Sequence, residues 1–261
     1  MKALQIAATG MAAQQMKVDV VSNNLANMST TGYNPRRADF ADLHYQQMAR
    51  PGSLTAEDGS MLPTGIQIGL GVRPASVSVV LGQGSLDATG ADLDIAIEGS
   101  GYIEVTMPSG LTGYTRDGSL KRSAEGLIVT SDGFPVVPGI TIPSDARGLT
   151  ISASGEVWAD FADRLEPELL GQLTLSSFPN EKGLEAIGSN LFLESPASGV
   201  AFSGAPGEDG LGMLRQGYLE SSSVDAVREV TELIKAQRGY ELNAKVITAA
   251  DQMLAATTQV R

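Results

Sequence analysis

From Val224 to Arg261 the chain carries no proline, and apolar or small residues return at every seventh position: Ala226, Leu233, Tyr240, Ile247 and Leu254. A companion row of Val230, Gln237 and Ala244 fills the gaps. A spacing of 3.5 residues is the seam of a coiled-coil-like helix, and at 1.5 Å per residue this one would run roughly 55 Å. Ser221, Ser222 and Ser223 stand before it as N-cap candidates, because a side-chain oxygen can accept from the free N–H groups of a first turn. A long helix with one adhesive stripe needs a partner. The first thirty residues offer it: Leu4, Met11, Val18 and Leu25 lie seven apart, with Ala7, Gln14, Val21 and Met28 beside them and only Lys17 and Asp19 charged between. Either stripe alone would suit one face of an ordinary bundle. Matched stripes at opposite ends of the chain point to two helices that pair with each other.

The 261 residues suffice for one large domain or two smaller ones, and there is no cysteine, so neither disulfides nor thiolate metal sites are expected. The formal net charge of −12 argues against nucleic acid as a partner, since neutralising phosphates takes a local excess of Lys and Arg. No run of eighteen apolar residues occurs, which argues against membrane insertion. Met1-Lys2 leads directly into helical pattern, without the basic segment, apolar core and small-residue cleavage site of a secretory leader. Export without a cleavable signal peptide is therefore the expectation for a protein of this kind that leaves the cytosol.

The first helix is expected to end between Asn27 and Gly32, where short amides and hydroxyls collect and glycine can take positive φ. Residues 44–72 are neither helical nor strictly alternating, apart from Ile66, Ile68, Leu70 and Val72, which suggest a short strand over 65–73. So long a stretch without firm structure is usually functional or disordered. From Val77 to about Gly217 short alternating runs are separated by Gly and Asp turns, which reads as a compact all-β domain. Within it, Asp94–Glu98 and Tyr102–Val105, joined by Gly99-Ser100-Gly101, read as a hairpin.

Several of these stretches carry more than local structure. Ser22-Asn23-Asn24-Leu25-Ala26-Asn27 followed by Gly32-Tyr33, with Ala8-Thr9-Gly10-Met11 upstream and Phe40 downstream, resembles the amino-terminal signature of the bacterial flagellar axial proteins, the rod and hook family. Asp94–Tyr102, Tyr114–Leu120, Phe178-Pro179-Asn180, Gly188–Phe192 and Gln216–Glu220 are similar to its β-domain motifs. Glu232-Leu233-Ile234, Gln237–Glu241, Asn243 and Asp251–Leu254 are similar to its terminal helix. Tyr45, Pro51, Pro63, Gly65, Gly69 and Gly71 fall in a segment resembling the one that marks the distal-rod members and that hook proteins lack. Two positions depart: Ser223 stands where the family has asparagine, and Gly239 where it usually has alanine.

The resemblance implies a structural subunit of the distal rod, assembled as a helical homopolymer into a rigid hollow shaft that transmits torque and conducts exported subunits. Implied partners are further copies of the chain, proximal rod proteins, hook protein, the surrounding P and L ring proteins and the flagellar export apparatus. The implied location is the basal body, from periplasm to outer membrane. Alternatives are another axial subunit, of the proximal rod or hook, or a cell-wall-acting enzyme.

No catalytic, cofactor or metal site is expected. Asp92, Asp94 and Glu98 could share one strand face, but no histidine joins them. His44, the single histidine, has no partner legible in sequence, and Gly69 to Gly71 lack the lysine of a phosphate loop. The expected fold is α+β. Residues 1–32 and 221–261 form a coiled-coil-like helical assembly domain, 33–76 an extended connecting segment, and 77–220 a central all-β domain.

Overall fold

The structure is a computed structural model that describes residues 2–51, 64–164 and 166–259. Among the described residues it has two α-helices, one near each end of the chain, and a β-rich middle, so the fold is α+β. The chain divides into two compact units, the first made of residues 1–26, 36–80 and 225–261, the second of 27–35 and 81–224.

In the first unit α1 spans Lys2–Ala26 and α2 spans Ala226–Gln259. At 34 residues α2 is about 50 Å long. Its N-cap is Asp225, whose carboxylate accepts from the N–H groups of Val227 and Arg228 at 3.0 and 3.1 Å. The serines expected in that role are used elsewhere. An aspartate also places negative charge at the positive end of the helix dipole.

Among the described residues the same unit holds four strands: β1 (Arg36–Asp42), β2 (Tyr45–Ala49), β3 (Ile66–Gly69) and β4 (Val72–Val79). β1 pairs antiparallel with β4 from Arg36↔Val79 to Asp42↔Val72, and β2 with β3 from Tyr45↔Gly69 to Ala49↔Ile66. The gap between the pairs is closed by Leu43 N–H to the Gly71 carbonyl and Leu70 N–H to the His44 carbonyl, at 2.9 and 3.2 Å. The expected irregular stretch is thus a two-stranded ribbon over the described part of its length. Sequence alternation is masked because both faces of the outer part are exposed, so no buried face imposes a period.

The second unit contains fifteen strands among the described residues. In order they are β5 (Leu86–Ala88), β6 (Ile95–Glu98), β7 (Tyr102–Thr106), β8 (Thr112–Thr115), β9 (Lys121–Arg122), β10 (Ile128–Val129), β11 (Ala146–Ile151) and β12 (Glu156–Phe161). There follow β13 (Glu168–Gln172), β14 (Leu175–Ser177), β15 (Glu185–Gly188), β16 (Leu191–Leu193), β17 (Phe202–Gly204), β18 (Met213–Gln216) and β19 (Tyr218–Glu220). The largest sheet has the order β15-β16-β8-β7-β14-β17, and β11-β12-β13 form a second. Ile95, Ile97, Val105, Ile128, Val157 and Leu175 are the bulk of the fully buried core.

The hairpin expected between residues 94 and 105 does not form. β6 pairs with β18, Glu98 opposite Met213, while β7 pairs with β8 and β14. Ile95, Ala96 and Ile97 are all buried, so β6 is covered on both faces and its apolar run is not a half-exposed alternation. Gly99 and Gly101 take φ of +116° and +140°, and a Cβ on Gly99 would lie 3.0 Å from the Gly212 Cα, so the glycines admit the backbone leading into β18.

Charge divides unevenly between the units. Twenty of the thirty acidic residues but only seven of the eighteen basic ones fall in the second unit, which therefore carries all of the net negative charge.

Candidate functional site

α1 and α2 run antiparallel. Asn24 near the end of α1 donates to Glu229 in the first turns of α2 at 3.0 Å, and Lys17 meets Glu232 at 2.6 Å. Farther along, a Cβ on Gly10 would lie 3.0 Å from Asn243, and one on Gly239 3.0 Å from Gln14. The most buried side chains of the pair are small or polar: Ala7, Ala13, Val21 and Asn24 on α1, Ala236 and Ala250 on α2. Small residues let the two backbones approach closely.

The larger heptad residues flank that contact. Leu4, Met11, Val18, Leu25, Leu233 and Ile247 are half-buried, whereas Tyr240 and Leu254 remain 44% and 42% exposed. On α1 the companion row holds at Ala7, Gln14 and Val21, but Met28 lies past the helix and is exposed. On α2 the companion row is shifted by one residue, from Val230, Gln237 and Ala244 to Glu229, Ala236, Asn243 and Ala250. Between the helices Val18 and Tyr240, with Gln15, Gln237 and Glu241, line an open groove of 410 Å³. Ile234, Leu242 and Val246 on α2 add further exposed apolar surface.

The electrostatics of the pair centre on Glu232. Hydrogen bonds from Lys17 and then Lys235, with their charges, hold its carboxyl down at about 2. Lys17 comes from α1 and Lys235 from the next turn of α2, so one carboxylate ties both helices.

The residues of the 22–33 motif divide between two tasks. In the first unit Asn24 is 1% exposed; its side-chain oxygen accepts from Arg36 N–H and its amide donates to the Arg36 carbonyl, both at 2.8 Å, so it pairs with β1 as a strand would. Leu25 and Ala26 complete the helix, and Ser22 and Asn23 lie on its exposed side. In the second unit Asn27 accepts from Thr30 through both its carbonyl and its side chain, at 3.2 and 3.1 Å. Gly32, at φ +64°, donates to the Glu220 carbonyl at 2.9 Å, and a Cβ there would lie 2.9 Å from the Arg116 carbonyl oxygen. The Tyr33 carbonyl accepts Ser223 N–H at 3.0 Å, while the Ser223 hydroxyl donates to Asn34 at 3.1 Å. Ser223 therefore joins the segment leaving the first helix to the one entering the last.

Beneath that junction lies a buried ion pair that sequence reading did not single out. Arg116 Nε and a Glu220 oxygen are 2.6 Å apart, with side chains 9% and 2% exposed. Arg116 also donates to the carbonyls of Gly99 and Gly101, at 2.7 and 3.3 Å, and the other Glu220 oxygen accepts Gly84 N–H at 3.0 Å. Arg116 lies in a quoted motif, but nothing in its spacing announces a partner 104 residues away.

In the ribbon, Gly71 has φ +119° and a Cβ there would lie 2.2 Å from the Thr9 hydroxyl, which accepts Val72 N–H at 3.4 Å. Lys2 bonds to Gln46. The ribbon is thereby held against α1. Tyr45 covers Gly69, and Pro51 sits against Gly65, where a Cβ would lie 2.5 Å from the Ala49 carbonyl oxygen. Tyr45, Met48 and Ile66 are more than half exposed. Gly52 and Pro63 lie outside the described residues. His44 lines a shallow pocket with Asp42, Leu43, Tyr45 and Arg73. Among the described residues no three His, Asp or Glu side chains gather as a metal ion would require, and no helix is long and apolar enough to cross a membrane.

Three family models match: one for flagella basal body rod proteins over residues 4–34, one for the flagellar hook protein FlgE/F/G D1 domain over 96–159, and one for the C-terminal part of flagellar basal body rod FlgEFG proteins over 215–260. The chain is 54% identical over 261 residues to flagellar basal-body rod protein FlgG of Caulobacter vibrioides, covering 100% of both chains. It is 47% identical to the protein of that name from Agrobacterium fabrum, covering 97% of each, and 37% identical to that from Bacillus subtilis, again covering 97% of each.

Proposed function

The chain belongs to the flagellar basal-body rod protein family and is a structural subunit of the rod, and from that premise we propose that it builds the distal part of that shaft by self-assembly. In this reading α1 and α2 form a coiled-coil-like pair, the unit of an inner tube. Neighbouring copies fill the groove at Val18 and Tyr240 and cover the apolar residues that a single chain leaves exposed. A head-to-tail contact that does not close on itself stacks copies into a helical tube. The ribbon adds a second contact to a neighbour through Tyr45, Met48 and Ile66, which stiffens the shaft. The tube transmits torque from motor to hook and conducts exported subunits through its bore. It lies between proximal rod proteins and hook protein, inside the P and L rings, spanning periplasm to outer membrane. The chain reaches that place through the flagellar export apparatus, and it is not an enzyme.

The observation that carries this reading is the uncovered groove beside an otherwise well-packed helix pair. Electron microscopy of assembled material tests it. The parent chain gives straight hollow tubes with helices lining the bore. Tyr240→Asp, at a position already exposed in the single chain, abolishes tubes without lowering the thermal midpoint of the subunit. Removal of residues 45–69 gives tubes that bend. Tubes of unchanged straightness after that deletion would remove the distal-rod assignment, and tubes unaffected by Tyr240→Asp would remove the groove as the contact.

A further inference from the structure

We propose that two reciprocal glycine–amide contacts, Gly10 with Asn243 and Gly239 with Gln14, fix the register of α1 against α2. The inference rests on the packing of one chain and stands whether or not copies assemble through the groove.

A heptad stripe alone does not define one register. Sliding one helix past the other by seven residues, about 10 Å, sets alanine, valine and leucine against alanine, valine and leucine again. Something outside the repeat must choose. Each helix has a single glycine, Gly10 in α1 and Gly239 in α2. Each glycine faces an amide of the other helix. A Cβ on Gly10 would lie 3.0 and 3.1 Å from the two terminal atoms of Asn243. A Cβ on Gly239 would lie 3.0 Å from Gln14 Cδ and 3.3 Å from its Nε2. In both helices the amide stands four residues after the glycine, on the same face. Reversing the pair end for end therefore exchanges one contact for the other, which suits an antiparallel pair.

The Asn243 amide is also held in place by its own helix, donating to the Gly239 carbonyl at 3.0 Å. Gly239 thus aims one amide through its carbonyl and receives the other on its open face. Slid by one heptad, Asn243 would meet Ala3 or Lys17 and Gln14 would meet Glu232 or Val246, all of which carry a Cβ where the amide now packs. Only the observed register gives both amides a backbone surface. A mid-helix glycine is less favourable than alanine by about 1 kcal/mol, so the sequence gives up helix stability at two places for a unique alignment, as polar residues do in coiled-coil cores.

The test reads register directly. The chain has no cysteine, so Asp19→Cys and Thr248→Cys, both at exposed positions and about 21 Å apart along the axis of the pair, accept one nitroxide each in the full-length protein. Electron–electron dipolar spectroscopy on the parent is expected to give one narrow distance. In the same labelled chain Gln14→Leu with Asn243→Leu retains helix content but adds a component displaced by about 5 or 10 Å, one turn or one heptad. Gly239→Gln alone broadens the distance, and Gly239→Gln combined with Gln14→Gly, which exchanges the partners, returns it to one narrow component. A single unchanged distance in the leucine pair overturns the proposal, as does a broad one in the parent. If the leucine pair loses its helices, the exchange variants decide: failure of Gln14→Gly to restore what Gly239→Gln broadened is equally fatal.

Discussion

Glu220→Ala should be among the most damaging polar side-chain truncations in the second unit, although it leaves the apolar core untouched. The substitution strips the carboxylate from Arg116, whose side chain is 9% exposed and keeps only the Gly99 and Gly101 carbonyls as partners. Breaking a buried ion pair from one side costs about 3–5 kcal/mol, because the remaining charge stays desolvated. Gly84 N–H loses its acceptor as well, adding about 1 kcal/mol or more. Taking about 4 kcal/mol in all and a urea slope of about 2 kcal/mol/M, the unfolding midpoint falls by about 2 M. Trp158, the single tryptophan, lies in β12 of the same unit and reports that transition by fluorescence. Arg116→Met with Glu220→Leu removes both charges and should recover most of the loss, since apolar replacements of buried pairs are often neutral. A midpoint shift under about 0.5 M for Glu220→Ala, or a double variant as weak as the single one, would refute the reasoning.

Three further outcomes follow from the described contacts. The Glu232 carboxyl is held at about 2, below its ordinary 4.5, by Lys17 and Lys235; the stability this adds is complete above about pH 4.5 and drains away as pH falls toward 2, so circular dichroism melts of the helix pair should lose about 0.5 kcal/mol across that window and show no such loss in Glu232→Gln. Asn24→Ala leaves both backbone groups of Arg36 without their partner, and should lower the stability of the first unit by about 2–3 kcal/mol in a denaturant titration followed by helix ellipticity. Gly118→Ala should prevent native folding of the second unit, because a Cβ there would lie 1.6 Å from the Ile95 carbonyl oxygen; native-like Trp158 fluorescence in that variant would show that the backbone can give way.

Both helices were legible because their stripes are long and nothing interrupts them. Apolarity alone points to a row in α2 one residue away, at Val230, Gln237 and Ala244. Closeness decides it instead, and Ala236 and Asn243 permit a closer approach than Val230 or Gln237. The cap of α2 is hard to read for a related reason: three serines are as good as one aspartate in isolation, but Ser223 is drawn away by Tyr33 and Asn34. The Asp117-Gly118 turn was visible, yet the need for glycine there comes from a carbonyl 23 residues earlier, which no local pattern records. Pairing of β6 with β18 spans more than a hundred residues, and the glycines between β6 and β7 mimic a hairpin turn while serving a different approach. The 22–33 motif could be read as a junction, but its division between a strand-like amide at Asn24 and a left-handed glycine at Gly32 needs coordinates.

The uneven placement of charge has a consequence for crowding. Copies of the chain that touch through their first units bring together nearly balanced charge, so that contact is insensitive to ionic strength. The second units, where all the excess acid resides, repel each other within a screening distance of about 8 Å in physiological salt. In the proposed assembly, adhesion and colloidal repulsion would thereby belong to different parts of one polypeptide, and added salt would tighten the spacing of the acidic bodies without loosening a contact made through the helices.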